Sequence, residues 1–284
     1  MKKYLVLFNP LSNNKNGEES ARNITKDVKD GEFEFKSILG IEDIKKFLED
    51  IPSDCTAVLA GGDGTINKFV NALNGFVPER DIFYYPAGSG NDFYHDVSEG
   101  GTIKLIKLNP YIVNLPFAEV NGNIYRFING IGFGIDGYCC EVGDELRKTS
   151  DKPINYASIA IKGLLFHFKS VKATVISDGK VREFTNVWLA PTMLGRYYGG
   201  GMMATPFQDR LNENRSVTTL VFTGKSRLKT LAIFPGIFKG EHIKRNDVIT
   251  QISGYDVKVS FDRPCALQID GETITNVSSY KIYR

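Results

Sequence analysis

The sequence predicts an α/β N-terminal domain with a parallel sheet, followed by a C-terminal antiparallel β-sandwich domain. Up to about residue 105, short apolar runs alternate with stretches of helical spacing, the pattern of βα units. Beyond that point strand follows strand, with turn signals such as Asn121-Gly122-Asn123 and Ser177-Asp178-Gly179-Lys180 and few helices between them. The 284 residues suffice for one large or two ordinary domains. A content of 42% hydrophobic and 24% charged residues is that of a soluble globular chain.

Tyr4 to Phe8 is an apolar strand, followed by a polar loop from Asn9 to Gly17 and a helix from Glu18 to Val28. Phe33 to Ile38 is a second strand, and Glu42 to Leu48 places Ile44, Phe47 and Leu48 on one helical face. Thr56 to Ala60 is a third strand ending at Gly61-Gly62. The helix from Ile66 to Leu73 turns Ile66, Phe69, Val70 and Leu73 inward, and a fourth strand, Ile82 to Tyr85, closes at Pro86. Expected strands then run Tyr111 to Val120, Ile124 to Ile131, Lys172 to Ile176, Val181 to Ala190 and Ser216 to Phe222. Val248 to Ser253, Asp256 to Phe261 and Ala266 to Ile269 follow, with helices at Asn155 to Phe168 and Arg227 to Phe234. The expected division is 1–106 and 107–274, with the last strand, about 275–284, rejoining the first domain.

Bulk features exclude several classes. A net charge of +2, from 35 basic and 33 acidic residues, argues against a dedicated nucleic-acid binder. Cys55, Cys139, Cys140 and Cys265 form no C-x-x-C pair and read as buried reduced thiols. His95, His167 and His242 have no partner at metal or triad spacing, and Trp188 reads as core. The opening apolar run is too short for a secretory leader and lacks a small-residue cleavage site, so it reads as a buried strand in a cytoplasmic protein.

Three loops carry chemistry. Ala60-Gly61-Gly62-Asp63-Gly64-Thr65-Ile66-Asn67 follows a strand and opens a helix. Glycines there admit a phosphate close to the backbone, and the helix start offers N–H groups and a positive dipole end. Asp63 suits such a place if it holds magnesium, directly or through water, or positions a loop. A plain strand–helix turn capped by Thr65 is the alternative. Pro86-Ala87-Gly88-Ser89-Gly90-Asn91-Asp92-Phe93 also follows a strand, with Ser89 suited to phosphate or ribose and Asp92 to a metal or substrate hydroxyl. Asn9-Pro10-Leu11-Ser12-Asn13 follows the first strand. In an open α/β sheet all three lie at the carboxyl ends of strands, where ligands bind. Neither a P-loop signature nor a G-x-G-x-x-G turn after the first strand is present.

These loops resemble those of the diacylglycerol kinase-like lipid kinases, which include sphingosine kinases and bacterial lipid kinases, and more distantly those of NAD kinases and phosphofructokinases. Asn67 with Val70-Asn71, and Asn91-Asp92-Phe93, look like the lipid branch. So do Asn129 to Asp136, Gly199-Gly200-Gly201-Met202 with Pro206, and Asp270-Gly271-Glu272, in the right order along nearly the whole chain. The resemblance implies ATP and Mg2+, bound between an N-terminal α/β domain and a C-terminal β-sandwich. It assigns ATP to Asn9, Pro10, Ser12, Gly62, Asp63, Gly64, Thr65, Asn67 and Ser89, with Gly88, Gly90, Asn91 and Asp92 near the phosphates or the acceptor. Glu272 is the implied general base, with Asp270 beside it. Read without the resemblance, Asp270-Gly271 between two strands is an exposed hairpin turn.

One departure stands out. Family members carry an Asp-Asp-Gly-like segment that helps hold a structural magnesium, whereas this chain reads Gln208-Asp209-Arg210-Leu211-Asn212-Glu213-Asn214. Asp209, Asn212 and Glu213 are the candidate metal ligands, with a solvated turn as the equal alternative. The apolar segment Tyr156 to Phe168 suits a buried core helix first, and an acyl groove or contact with a bilayer second. The run Phe234 to Gly240 with its flanking lysines suits a solvated basic face or an anionic membrane. The expected partner is a lipid substrate at a membrane surface, with peripheral association, no nucleic acid, and the oligomeric state open between monomer and homodimer. The expected reaction is phosphorylation of diacylglycerol to phosphatidate. A sphingoid base, phosphatidylglycerol, a polyprenol or NAD are alternative acceptors, and a catalytically inactive nucleotide- or lipid-binding regulator is the alternative of another class.

Overall fold

The computed structural model describes residues 1–98, 101, 104–149 and 154–283. It divides into two compact units, Met1–Leu115 and Pro116–Arg284.

The first unit holds a five-stranded sheet of β1 (Lys2–Phe8), β2 (Gly31–Ser37), β3 (Cys55–Gly61), β4 (Ile82–Pro86) and β5 (Ile106–Lys107) in the order β2-β1-β3-β4-β5. The first four strands are mutually parallel and β5 is antiparallel. Side chains alternate across the pleat, so Tyr4, Val6 and Phe8 meet Ala21 and Ile24 on one face. The expected helix Glu18 to Val28 is broken into Gly17–Arg22 and Ile24–Asp27 at Asn23. The helix Asp63–Leu73 buries Ile66, Phe69, Val70 and Leu73, the four residues its spacing selects.

The second unit is one antiparallel network folded into two layers. Its strands are β6 (Phe117–Val120), β7 (Asn123–Arg126), β8 (Gly130–Gly134), β9 (Val171–Ser177), β10 (Lys180–Met193), β11 (Tyr197–Tyr198) and β12 (Met202–Met203). β13 (Val217–Thr223), β14 (Ile249–Gly254), β15 (Val257–Ile269) and β16 (Glu272–Tyr283) complete it. The large sheet runs β14-β13-β10-β8-β15-β16-β6-β7, and the β11–β12 pair stands apart. The two long strands make the fold turn. β9 pairs with the first parts of β10 and β15, whereas β8 pairs with their second parts. Register breaks at Val187/Leu189 and Ser260/Cys265 let each strand pass from one layer to the other. Phe133 stacks on Phe261 at 4.5 Å and meets Tyr280 at 5.3 Å in the core between them.

Four expectations need correction. The C-terminal strand does not rejoin the first unit. It is the second half of β16, whose residues Tyr280 to Tyr283 pair with β6 while Glu272 onward pairs with β15. The division falls at 115/116 rather than 106/107, because Asn109–Ile112 forms a short helix that stays with the first sheet through the Asn109 side chain, bonded to Ile82 N–H at 2.8 Å. For the same reason only Phe117–Val120 of the expected strand Tyr111 to Val120 is a strand. Asp256 to Phe261 and Ala266 to Ile269 are parts of one strand, β15.

A 15-residue helix, Ile135–Thr149, was not expected. Gly137 and Gly143 depress its intrinsic propensity, yet each is demanded by packing. A Cβ on Gly137 would lie 2.1 Å from the Ala266 carbonyl oxygen, and one on Gly143 2.8 Å from the Tyr156 ring. Trp188 is core, with its indole N–H donating to Gly224 O at 2.7 Å. All four cysteines are free thiols, and burial pushes Cys140 and Cys265 up to about 12, far from reactive thiolates.

Candidate functional site

The parallel register of β1, β3 and β4 brings three loops to one edge of the first sheet. Asn9, directly after β1, is buried. Its side-chain oxygen accepts from Leu11 N–H at 3.0 Å, and its carbonyl accepts both the Ser12 N–H and hydroxyl. Asn9 therefore shapes its loop, with Pro10 inside the turn and Ser12 opening a one-turn helix, Ser12–Lys15.

The loops after β3 and β4 touch backbone to backbone. A Cβ on Gly88 would lie 2.4 Å from Gly62 Cα, and one on Gly62 would lie 3.0 Å from Gly88 Cα. Gly88 accepts only glycine at this separation, and Gly62 leaves a side chain little room. Asn91, in the left-handed region at φ 51°, ties the second loop shut: its Oδ1 accepts from Gly88 N–H at 3.1 Å and its Nδ2 donates to Gly88 O at 2.8 Å. The buried Tyr84 hydroxyl donates to Gly61 O at 2.9 Å, joining strand β4 to the end of β3. Burial, with Asp63 and Asp92 nearby, pushes that hydroxyl well above its ordinary range, so it stays a neutral donor. Nothing in the sequence sets Tyr84 apart from an ordinary strand residue.

Asp63 fills the loop-positioning role of the two open to it. Its carboxylate accepts the backbone N–H groups of Asp92 at 2.9 Å and Phe93 at 2.8 Å, bonding the first turn of the helix Asp92–Val97. Thr65 does not cap the helix Asp63–Leu73. Gly62 holds that position, and Thr65 packs back over Gly61, where a Cβ would meet its Oγ1 at 2.4 Å. No side-chain hydrogen bond caps that helix among the described residues. Asn67 is buried in it and receives the Asn71 amide on its carbonyl at 2.9 Å. Gly64 and Gly90 are half-buried in their loops, Ser89 lies exposed at the tip, and Asp92 is buried.

In the second unit, Asp270 and Gly271 are the two residues of a hairpin joining β15 to β16, with φ of 46° and 89° and Ile269 opposite Glu272. The hairpin expected from these residues alone is thus present. Asp270 also reaches across to the strand entering β8. Its carboxylate accepts N–H groups from Ile128 at 2.7 Å, Asn129 at 2.8 Å and Gly130 at 3.0 Å. A carboxylate so held positions a loop rather than moves protons. Glu272, one residue beyond the turn, is exposed.

Beneath the hairpin, Gln268 is buried and its Oε1 accepts Gly271 N–H at 3.0 Å. Asp136 is buried nearby in the first turn of the helix Ile135–Thr149. Its Oδ1 accepts Gly137 N–H at 2.9 Å, and its Oδ2 makes no hydrogen bond. Gln268 lies near enough to favour the charged form, although the pair falls outside hydrogen-bonding geometry. Burial dominates and raises Asp136 to about 6 from 3.8. The folded state thus prefers the protonated acid. The stability this gives is complete below pH 4 and is lost as pH rises through 6. Asp136→Asn should therefore gain stability relative to the parent between pH 4 and 7.5, by up to about 3 kcal/mol, in paired urea titrations. A pH-independent difference would contradict this.

The candidate structural metal ligands do not fit a metal. Asn212 spends its Oδ1 on Ser216 N–H at 2.9 Å and its Nδ2 on Asp209 O at 2.6 Å, and Asp209 Oδ1 accepts Leu211 N–H at 2.8 Å. Glu213 is exposed, and the described residues contain no cluster of three or more His, Cys, Asp or Glu able to hold an ion. A cation is present in another form. Arg210 is buried and donates to Ile128 O at 2.9 Å and Asn129 Oδ1 at 3.1 Å. It pins this loop to the same strand entrance that Asp270 holds. Arg210→Met should cost about 3 kcal/mol, while chelation by EDTA should leave the melting temperature of the parent unchanged. A fall with EDTA would restore the metal.

The chain matches the family described as "Diacylglycerol kinase catalytic domain" over residues 3–108 and the "YegS C-terminal NAD kinase beta sandwich-like domain" over residues 129–281. It is 24% identical to "Putative lipid kinase YtlR" of Bacillus subtilis, over 96% of this chain and 94% of that one. It is 27% identical to "Diacylglycerol kinase" of Mycobacterium tuberculosis, over 68% of this chain and 63% of that one. A crystal structure of a diacylglycerol kinase from Bacillus anthracis has the same fold, with a TM-score of 0.64 at 17% identity, covering 99% of this chain and 93% of the other.

Proposed function

The chain belongs to the lipid kinases of the diacylglycerol kinase catalytic-domain family, and on that premise we propose that it transfers the γ-phosphoryl group of ATP to a lipid hydroxyl, with diacylglycerol as the acceptor and phosphatidate as the product. The observation that supports nucleotide binding is the backbone contact of Gly62 with Gly88 beside the helix start at Asp63. Glycine turns that bring the backbone into the open and the start of the helix Asp63–Leu73 suit a polyanion at the carboxyl edge of a parallel sheet. Asp63 and Asn91 keep those loops in register and leave the phosphates to the backbone. Asn9, Pro10, Ser12, Thr65, Asn67 and Ser89 complete the nucleotide's surroundings, with Gly64 and Gly90 in the glycine turns. Magnesium accompanying ATP neutralises charge on the phosphates.

Glu272 is the proposed general base. An alcohol attacks poorly at neutral pH, and a carboxylate placed against it takes its proton as the bond to phosphorus forms. Its place next to a two-residue hairpin gives it a fixed backbone, and Asp270 fixes that hairpin in turn. Incubation with γ-labelled ATP and a panel of diacylglycerol, a sphingoid base, phosphatidylglycerol, a polyprenol and NAD tests the acceptor. Label in diacylglycerol is the expected result. Label confined to NAD overturns the lipid reading, and ATP binding without any transfer marks a regulator.

A further inference from the structure

The second unit contains a surface that carries none of the residues assigned above to the nucleotide or to proton transfer. The segment 154–169 and the segment 225–244 share one root: Ile159, Leu164 and Phe168 from the first and Phe234 and Ile237 from the second lie in the same buried cluster. Arg227 fastens them, donating to Leu164 O at 2.6 Å. Outward, both expose large apolar side chains. Phe166 and Leu228 are each 72% exposed, Ile161 is 45% and Phe238 is 44% exposed. Exposed apolar residues are common singly. Here they are interleaved with exposed Lys162, Lys169, Lys225, Lys229, Lys239 and Lys244.

The charge is concentrated as well. With Arg227, these two segments contain seven of the chain's 35 basic residues and one of its 33 acidic ones, Glu241. The remainder therefore carries 28 basic against 32 acidic residues, so the small net positive charge of the chain resides in this helical layer. Arg245, just beyond, is neutralised by Asp247 at 2.9 Å. On the neighbouring helix Ile135–Thr149, Asp144 and Glu145 are paired with Arg147 and Lys148.

We propose that this layer is the face by which the protein docks on an anionic bilayer, with Phe166 and Leu228 entering the headgroup region and the lysines meeting lipid phosphates. Apolar side chains ringed by flexible cations suit that interface: the rings gain burial while the lysine stems reach the charged plane. A nucleic acid would use the lysines and leave the aromatic and leucine side chains in water. A second copy would bring like charges together. The inference goes one step past the lipid-kinase reading, on which it rests for the lipid's presence, by naming the surface that reaches the membrane.

Sedimentation with vesicles tests it, without ATP and without an acceptor lipid. The parent protein should bind vesicles of phosphatidylcholine with about 30% phosphatidylglycerol at least about tenfold more tightly than pure phosphatidylcholine. Phe166→Ser/Leu228→Ser and, separately, Lys229→Glu/Lys239→Glu should each lose at least about tenfold in that binding. Ile124→Ser, an exposed apolar position on the β6–β7 hairpin, should lose none. Melting curves confirm that the variants fold, and their transfer to a short-chain, water-soluble diacylglycerol should match the parent. Unchanged vesicle binding in either double variant, equal parental binding to both vesicle types, or a parental dimer that the variants dissociate would overturn the proposal. Failure of transfer to the soluble acceptor, with vesicle binding as expected, would count against the kinase reading alone.

Discussion

Gly88→Ala is expected to abolish measurable ATP binding while leaving the protein folded at lower stability. The added methyl would sit 2.4 Å from Gly62 Cα, 2.9 Å from Gly62 N and 2.9 Å from Asn91 Oδ1. Two of these neighbours are backbone atoms that cannot swing away, so the loops after β3 and β4 must part by about 1 Å. The parting acts on the N–H groups offered to phosphate and on the bonds from Asn91 that close the second loop. Overpacking of this kind costs about 1–3 kcal/mol in stability. A displacement of about 1 Å costs about a hundredfold in a reaction governed by positioning. Isothermal titration with ATP and a thermal melt read the two effects separately. Parental affinity in Gly88→Ala would show that this contact does not shape the nucleotide site.

The other large effect separates neighbours in the hairpin. Glu272→Gln should lower kcat about a thousandfold, with ATP affinity and melting temperature unchanged, because the side chain is exposed. Asp270→Ala should do the reverse in kind. It strips three backbone N–H groups of one acceptor and releases the entrance to β8. The expected loss is about 4 kcal/mol of stability, with activity falling only as the hairpin loosens. Steady-state kinetics and urea denaturation on both variants give the comparison. A stable, inactive Asp270→Ala beside an active Glu272→Gln would exchange their roles.

Much of the first unit was legible because its signals are local. The apolar runs of β1, β3 and β4 and the spacing of Ile66, Phe69, Val70 and Leu73 follow from strand and helix periodicity. The loops between them announce themselves through glycine. The role of Asp63 was open between metal and loop, because it depends on N–H groups 29 and 30 residues away that no local pattern reports. The helix Ile135–Thr149 was hidden by two glycines whose purpose is contact with Ala266 and Tyr156, distant in sequence. The last strand was misplaced because the alternation within a strand carries no information about which sheet it joins: β16 lies between β15 and β6 of the second unit. Arg210 lay inside a segment read for its acids, and only its burial shows that the charge holding the loop is positive.

The most direct test of the central claim is identification of the product by mass spectrometry. The parent protein and Glu272→Gln would each be incubated with ATP, magnesium and diacylglycerol in mixed micelles. The lipid-kinase account predicts phosphatidate from the parent and almost none from the variant at equal ATP occupancy. No phosphatidate from a parent that binds ATP, or equal amounts from both proteins, would contradict it.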